Sequence, residues 1–547
     1  MLSSLGALAA APPPPSAGSL LKELHPATPR IPADAATRLT VELPDGTQLP
    51  ALMSFTVTAI RITGNSAFDT ATLHALVADA EGRTLTLSEF GEVVARITDY
   101  YHSNGYPLAQ AIVPAQVIRD GIADVAIIEA RYGAVKLDNS SRARSPLLTS
   151  TLGPLKNGQA IQQAALDRSL LLLADIPGVH VNATFQPGSL VGTSDLLVQA
   201  TQGRSLVASA RVDGYGNRYT GRPRIGAAVS FIEPLRHGDV ASVSALSAGS
   251  DLNFASVFYE TLLNGKGTRI GGSYSTLAYD VGAPLESLDA HGTARPASVW
   301  VKQPLFRGRN FNQSVQIQYD RVQLRDRIDI VAIRNDRHIG NAAMSFVGDA
   351  RDTLLAGGIT TWTLDWTSGR VAFDDDFAKF ADSQTARTEG KFSKWSASVL
   401  RLQGLGRSTR LQFSATGQWA NENLDSAQKM TAGGPYNVRA YDVGAAAGDS
   451  GYVATMELQQ DFGAPGHRSG RWQAVAFVDT AHVTVNHDAW FAGPNAITLS
   501  GAGLGVNWSG FRYWSARVYV ARRVGSVSPL VAEDSDTRGW GEIGWAF

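Results

Sequence analysis

Residues 314–320 have the sequence SVQIQYD, in which apolar and polar side chains alternate. Val315, Ile317 and Tyr319 fall on one face of an extended strand, while two glutamines and Asp320 fall on the other. Because side chains of a β-strand point alternately to opposite faces, this period of two predicts a strand between an apolar and a polar environment. A soluble sandwich and a membrane barrel both contain strands of this kind.

The same alternation continues through residues 206–547, whose strand-length segments are separated by Gly, Asn, Asp and Pro. The last segment, TRGWGEIGWAF (537–547), places Ile543, Trp545 and the terminal Phe547 on one apolar face, as is typical of outer-membrane barrels. A sandwich of these 342 residues would be unusually large. A barrel with about 21 residues per strand and connection would have about 16 strands. The pattern therefore predicts a mainly β fold, with an antiparallel transmembrane β-barrel that is apolar outside and polar within.

The composition excludes several classes of protein and site. The formal net charge of −1 carries no signature of nucleic-acid binding. The 547 residues include no Cys, so disulfides, thiolate metal sites and cysteine nucleophiles are excluded. No run of 18 apolar residues predicts a transmembrane helix. We find no nucleophile–base pair, metal-ligand cluster or cofactor loop, and we expect a protein that is not an enzyme and uses no metal or cofactor.

The region before the barrel divides into three parts. Residues 1–54 are rich in Pro and Ala, begin like the end of a secretory signal, and contain one helical candidate, SAGSLLKEL (16–24), within a Pro-rich linker. Residues 55–132 and 133–205 each predict the order β-α-α-β-β, which indicates a tandem pair of α+β domains. We call them the first repeat and the second repeat. Four basic residues cluster at their junction: Arg131, Lys136, Arg142 and Arg144.

Four motifs of the C-terminal region occur together in one known family. They are RVDGYGNRYTGRPRIGAAVSFIEPLRHGDVASVSAL (211–246), GGPYNVRAYDVGAAAGDSGYVATMEL (433–458), FVDTAHV (477–483) and LSGAGLGVNWS (499–509). On these motifs the chain resembles the outer-membrane transporters of two-partner secretion, the TpsB family of ShlB/FhaC/HecB-like haemolysin or haemagglutinin secretion/activation proteins. The resemblance implies an N-terminal plug helix, two polypeptide-transport-associated (POTRA) domains and a 16-stranded barrel. Ala440 and Ala481 stand where the family motifs usually have glycine.

The resemblance further implies a latch in the lumen, whose motif residues are Val438, Arg439, Ala440, Tyr441, Phe477 and Asp479. In RWQAVAFVDTAHV (471–483), Asp479 and the apolar Val478 have opposite parity, so Asp479 points into the lumen if Val478 faces lipid. A charge on the lipid face costs up to about 2–4 kcal/mol. A planar guanidinium suits a lumenal carboxylate, and we expect Arg439 to fold back and pair with Asp479. The alternative is an exposed loop arginine, which contributes about 0–1 kcal/mol.

The function implied by the resemblance is ATP-independent secretion of one large β-helical exoprotein, such as an adhesin, haemolysin or contact-dependent toxin. The partner would be a TpsA-type exoprotein. The transporter would be a monomer in the lipid and lipopolysaccharide of a Gram-negative outer membrane, with periplasmic POTRA domains that capture the unfolded client at exposed strand edges. Two other functions remain open: an insertase that assembles outer-membrane proteins, and a passive porin-like channel.

Three smaller features of the sequence also lead to predictions. Leu20, Leu21 and Leu24 would anchor the plug helix. The four basic residues at the repeat junction would dock the client, or else form a solvated face. The acidic run FDDDFAKFAD (373–382) is interpreted as a solvated loop or turn, with a calcium site as the alternative.

Overall fold

The computed structural model describes residues 15–24, 38–41, 54–462, 470–510, 513–532 and 535–547. The expected signal remnant and most of the Pro-rich linker lie outside these residues. The first element is α1 (Ala17–Leu24), which begins after Ser16 because the Ser16 hydroxyl accepts the Ser19 amide at 3.3 Å and so caps the helix. A four-residue strand, β1 (Arg38–Val41), follows.

The first repeat is a three-stranded sheet covered by helices. Its elements are β2 (Ser54–Thr56), β3 (Ala59–Thr63), α2 (Thr70–Ala75), β4 (Thr84–Thr86), α3 (Leu87–Ser103), β5 (Gln110–Ile112) and β6 (Ile122–Ile128). Thr86 and Glu89 form a reciprocal capping box that starts α3. The sheet order is β3-β6-β5, and the short pair β2-β4 lies apart from it.

The second repeat has the same topology. Its elements are β7 (Arg131–Asn139), α4 (Ser145–Leu152), α5 (Gln163–Ala174), β8 (Val179–Pro187) and β9 (Thr193–Gln202). The sheet order β7-β9-β8 matches β3-β6-β5 strand for strand, which agrees with the predicted β-α-α-β-β order. A fourth strand extends this sheet, because β1 pairs in parallel with β8. A segment that the sequence places in the linker is thus part of the second repeat's sheet, and the β8 edge that we expected to be exposed is partly covered.

The remainder forms the barrel. In chain order its strands, with two short loop strands, are β10 (Leu206–Asp213), β11 (Arg224–Ile232), β12 (Val240–Ser247), β13 (Leu252–Leu262), β14 (Arg269–Asp280), β15 (Ala290–Arg307), β16 (Phe311–Ile328), β17 (Ile333–Asp352), β18 (Gly358–Phe373), β19 (Gly390–Gly404), β20 (Thr409–Ala420), β21 (Met430–Ala432), β22 (Ala446–Gly448), β23 (Ser450–Phe462), β24 (Arg471–Thr484), β25 (Ala496–Ser509), β26 (Trp514–Arg523) and β27 (Thr537–Ala546). Sixteen antiparallel strands close when β27 pairs with β10, and β21 and β22 form a separate pair inside a connection. The predicted 16-stranded barrel is confirmed.

The barrel wall alternates as predicted across the membrane and reverses above it. On β16, Ile317 and Tyr319 point outward and are 62% and 51% exposed. Farther along the same strand, Arg321 and Gln323 take the outward positions while Val322 and Leu324 point inward and are buried. The expectation of a uniformly polar lumen is therefore wrong at the barrel end away from the two repeats, because the inward side chains there pack against the apolar face of α1.

Strand lengths differ around the barrel. β15, β16 and β17 have 18, 18 and 20 residues, whereas β10 to β12 have 8 or 9. About 9–11 residues cross a membrane, so the long strands continue beyond it. Among the described helices, none is long and apolar enough to cross a membrane.

Candidate functional site

The connection between β20 and β23, residues 421–449, folds into the barrel. Val438, Ala440 and Tyr441 have no measurable exposure, and they pack against inward side chains of β24 to β26 such as Phe477 and Ala521. Gly433, Gly434 and Gly444 have φ of 103°, 111° and 70°, which lets the chain turn back on itself within the lumen. The motif loop predicted from the sequence is therefore an internal loop.

Arg439 is the charged centre of this loop. Its Nε and Nη2 donate to the two carboxylate oxygens of Asp479 at 2.9 and 2.7 Å, and its backbone amide donates to the same carboxylate at 3.1 Å. The Arg439 side chain is 4% exposed and that of Asp479 is fully buried. The ring of Phe477 lies 3.4 Å from the guanidinium carbon, a cation–π contact. The structure thus brings together the two residues whose pairing the strand parity predicts.

Two partners of Arg439 were missed by sequence reasoning. Nη1 donates to Oε1 of Glu457 at 2.5 Å, and the Arg439 carbonyl accepts the indole N–H of Trp540 at 2.7 Å. Glu457 is the register partner of Phe477, so the parity argument that placed Asp479 in the lumen could also have placed Glu457 there. Two carboxylates and an indole therefore hold one arginine.

Ala440 and Ala481 adopt no positive φ, so neither needs the glycine of the family motif. Ala440 fits because its neighbour on β25 is Gly501, where an added Cβ would come 2.5 Å from the Ala440 methyl group. Only one of these two positions can carry a methyl group, and in this chain it is position 440 of the loop.

Asp442 joins the loop to the first hairpin and the last strand. Its carboxylate lies 3.1 Å from Arg222 and 2.9 Å from Arg538. Arg222 belongs to the connection between β10 and β11, and Arg538 belongs to β27. The loop therefore spans the closure of the barrel, a role that the sequence motif did not reveal.

Helix α1 lies in the lumen on the apolar inner wall described above. Leu20 is 1% exposed in a cluster with Leu277, Val322, Leu324 and Ile339, and Leu21 and Leu24 pack at its edge. All three leucines of the predicted plug helix thus belong to this cluster or pack against it. Their role in closing the pore remains a prediction.

The two ends of α1 are held by polar contacts. The Ala17 amide donates to Asp326 at 2.7 Å, and Asp326 pairs with Arg337 at 2.7 Å. At the other end Glu23 accepts from the amide of Asn217 at 3.2 and 3.1 Å. The helix is therefore seated by side chains of both strands and loops at the extracellular end.

The second repeat is fastened to the periplasmic turns of the barrel. Arg307 makes two hydrogen bonds to Asp175, at 2.7 and 2.8 Å, and Arg309 contacts Asp167 at 2.8 Å. Leu262, the last residue of β13, is buried in the core of the repeat. A cavity of about 1280 Å³ lies between the second repeat and the barrel, at the barrel mouth. Its basic lining residues are Arg269, Lys302, Arg307, Arg309 and Arg351.

A buried carboxylate lies at the same junction. Glu233, in the turn between β11 and β12, is 1% exposed. Burial, and secondly the neighbouring carboxylate of Asp239, raise the pKa of Glu233 to about 7. The adjoining Gly178 of the second repeat has room only for a hydrogen, since a Cβ there would come 2.9 Å from Ile232. The turn and the repeat are therefore closely packed.

The four basic residues do not form one cluster. Arg131 donates to the Gly158 carbonyl at 3.0 Å and lies near Ser66, where the two repeats meet. The Lys136 ammonium lies 3.5 Å from the Asp195 carboxylate. The backbone amide of Arg144 donates to the carbonyl of Arg236 in a turn of the barrel. Arg142 is exposed beyond the end of β7. Arg131 and Lys136 lie on β7, whose extended backbone separates residues by about 3.3 Å each, and Arg142 and Arg144 lie beyond its end, so the four do not form one group. Their docking of the client stays a prediction.

The acidic run lies in the connection between β18 and β19 and is largely exposed, as predicted for a solvated loop or turn, but it also contains a short helix. It contains α6 (Asp376–Ser383), where Asp375 caps the helix by accepting the Ala378 amide at 2.9 Å. Asp382 accepts the amides of Thr388 and Glu389 at 3.0 and 2.9 Å. Within the described part of the chain, no three His, Cys, Asp or Glu side chains are placed to hold a metal ion.

Comparison with known proteins gives two family matches. The family described as haemolysin secretion/activation protein ShlB/FhaC/HecB matches residues 192–508, and a ShlB-type POTRA domain matches residues 55–130. The Heme/hemopexin transporter protein HuxB of Haemophilus influenzae (strain 86-028NP) is 25% identical, over 81% of this chain and 80% of its own length. The outer membrane transporter CdiB of Escherichia coli is 22% identical, over 84% of this chain and 77% of its own.

Solved structures agree in fold. CdiB from Escherichia coli superimposes with a TM-score of 0.72 at 19% identity, covering 94% of both chains. BamA from Haemophilus ducreyi lacking POTRA domains 1–3 gives a TM-score of 0.53 at 13% identity, over 90% of this chain and 100% of its own. At these identities the likeness shows the arrangement of barrel and repeats alone.

Proposed function

The chain belongs to the haemolysin secretion/activation protein family ShlB/FhaC/HecB, the outer-membrane transporters of two-partner secretion, and from this premise we propose that it passes one TpsA-type exoprotein to the cell surface. Its barrel crosses the outer membrane and its repeats lie in the periplasm. The exoprotein would be a large β-helical adhesin, haemolysin or toxin. It would enter unfolded at the barrel mouth and fold outside, so no ATP is needed.

One observation supports this proposal: two elements that are not part of the barrel wall lie inside the lumen. Helix α1 and the loop at 421–449 lie inside the barrel, and side-chain contacts rather than barrel pairing hold them. A closure of this kind can be withdrawn without breaking the wall, as passage of an occasional polypeptide requires. A passive porin needs no withdrawable helix, and the family match favours secretion over assembly of other barrels.

We assign roles to the closing elements on the same basis. Helix α1, through Leu20, Leu21 and Leu24, plugs the resting pore. The Arg439–Asp479 pair, with Glu457, holds the internal loop as a latch. Docking of the client on the basic residues remains a prediction, and Arg142 and Arg144 are the pair nearest the barrel mouth.

We also propose that the transporter acts as a monomer surrounded by outer-membrane lipid and lipopolysaccharide. The barrel closes within one chain, so a second copy is not required to complete its wall. Outward residues such as Val299, Ile317 and Leu504 are 59%, 62% and 68% exposed, and a hydrocarbon medium would cover them.

The experiment that tests this function is secretion in a Gram-negative host that lacks two-partner systems. The chain is produced together with a TpsA-type exoprotein, and exoprotein at the cell surface and in the medium is measured. We expect release that depends on the chain, with unchanged levels of other outer-membrane barrels. Exoprotein that stays periplasmic while the chain is inserted would contradict the proposal. A fall in other barrels when the chain is removed would favour an insertase.

A further inference from the structure

Strand β8 would be the free edge of the second repeat's sheet, but the chain's own strand β1 pairs with part of it. Residues 38 to 41 pair in parallel with residues 182 to 185 of β8, from Arg38 opposite Asn182 to Val41 opposite Phe185. Pairing at a strand edge uses main-chain N–H and C=O groups, which every extended polypeptide carries. The β8 edge is therefore a site that accepts an extended segment with little demand on its sequence.

The occupied edge continues into the barrel mouth. The register of β1 starts at Asn182, so residues 179–181 of β8 have no β1 partner. These residues and Asn182 line the cavity of about 1280 Å³ at the mouth. An unfolded polypeptide that enters this cavity meets the unpaired part of the edge first and the part covered by β1 next.

β1 is the weaker of the two neighbours of β8. It contributes four residues in parallel register, whereas β9 pairs antiparallel with nine residues of β8. Parallel pairing is slightly less stable per residue, and a short ladder provides few hydrogen bonds. Replacement of β1 by another extended segment exchanges one set of main-chain hydrogen bonds for an equivalent set.

We propose that the β8 edge is the acceptor for an extended segment of the secreted polypeptide, and that β1 holds this edge until the client replaces it. The proposal rests on the proposed secretion function and identifies where its client binds. Replacement also changes the tether of the plug helix. With β1 in place, the 13 residues 25–37 separate it from α1 and span at most about 45 Å. With β1 displaced, residues 25–53 are available and α1 can travel farther.

A reversible covalent lock tests this proposal. Thr40 and Thr184 are register partners, and the chain has no native Cys, so Thr40→Cys with Thr184→Cys allows one disulfide within the chain. We expect the oxidised lock to reduce exoprotein release at least 10-fold while membrane insertion is unchanged. Addition of reductant should restore release.

The matched control places the same chemistry on another parallel pair of the same sheet, away from β8. Asp138→Cys with Gln199→Cys links β7 to β9 within the second repeat and leaves the β8 edge and β1 free. We expect release at the unmodified level. Normal release from the oxidised Thr40–Thr184 lock, or equal loss in both disulfide pairs, would overturn the proposal. Absence of release from the unmodified chain would instead reject the secretion function itself.

Discussion

At the scale of single residues, the internal loop depends on how one buried cation is balanced. Arg439 neutralises Asp479 and also contacts Glu457, so two carboxylates face one guanidinium. Removal of the cation leaves both carboxylates in a site from which water is largely excluded. Truncation of one partner of such a group costs about 3–5 kcal/mol, because an unpaired charge remains buried.

Arg439→Ala should therefore abolish secretion. A variant in which positions 439 and 479 exchange their charges should also fail to secrete. In the double variant Arg439→Asp with Asp479→Arg, the new carboxylate at position 439 would face Glu457. We expect release to return only when Glu457→Gln is added. Exoprotein in the medium is the measurement, with heat-modified electrophoretic mobility as the control for insertion. Rescue by the double variant alone would show that Glu457 carries no part of the balance.

A second residue-level prediction concerns the methyl group shared by loop and wall. Gly501→Ala should weaken the seating of the loop and lower secretion, since the new Cβ would approach the Ala440 methyl group to 2.5 Å. Ala440→Gly in the same chain should restore secretion. Gly539→Ala is the matched control, because nothing lies within 4 Å of a Cβ placed there. Persistent loss in the double variant would place the defect elsewhere on β25.

The junction carboxylate gives a dependence on pH. The pKa of Glu233 is raised in the fold to about 7 from an ordinary value of 4.5, so the folded chain holds a proton that the unfolded chain has lost between these values. Stability contributed by this group is present below pH 4.5 and is lost as pH rises through 7. Glu233→Gln should raise the melting temperature in detergent at pH 8 and leave it nearly unchanged at pH 4.5. Equal shifts at both values would mean that Glu233 does not titrate in this window.

At the scale of elements, α1 and the wall behind it show where sequence reasoning succeeds and where it stops. The stretch SAGSLLKEL predicts a short helix, and the helix is present. The wall that receives it could not be predicted from alternation, because Val322 and Leu324 continue the period of two with the two environments exchanged. Period alone does not say which face is lipid, water or protein.

The plug helix gives the element-level prediction. Gly18 lies so close to the loop that a Cβ would approach Ser426 Oγ to 2.5 Å and the Ala427 amide to 2.7 Å. Gly18→Leu should displace α1 and raise ion conductance in planar bilayers toward that of a chain lacking residues 17–24. Gly406→Leu is the matched control, since its site is open. Conductance equal to that of the unmodified chain would show that α1 stays in place despite the added side chain.

At the scale of the whole molecule, the number of strands and the two repeats follow from periodicity, because each strand repeats the same signal. Pairings between distant segments do not follow in this way. The four-residue β1 is too short to carry a period, and its place beside β8 is decided by a free edge elsewhere in the chain. The basic residues around β7 are not grouped in space for a related reason. An extended strand separates residues that are close in sequence. Arg439 and Asp479 could be paired from sequence because parity and a family motif both constrained them.

Because the strands differ in length, the barrel projects unevenly from the cell surface. The wall built from β15 to β17 extends farther beyond the bilayer than the side formed by β10 to β12. We expect an affinity tag inserted at residues 329–332, in the connection between β16 and β17, to extend beyond the sugar chains of lipopolysaccharide and to bind an antibody. The same tag at residues 248–251 would sit among those sugars, so the two insertions provide a ruler for the height of the glycan layer around the transporter.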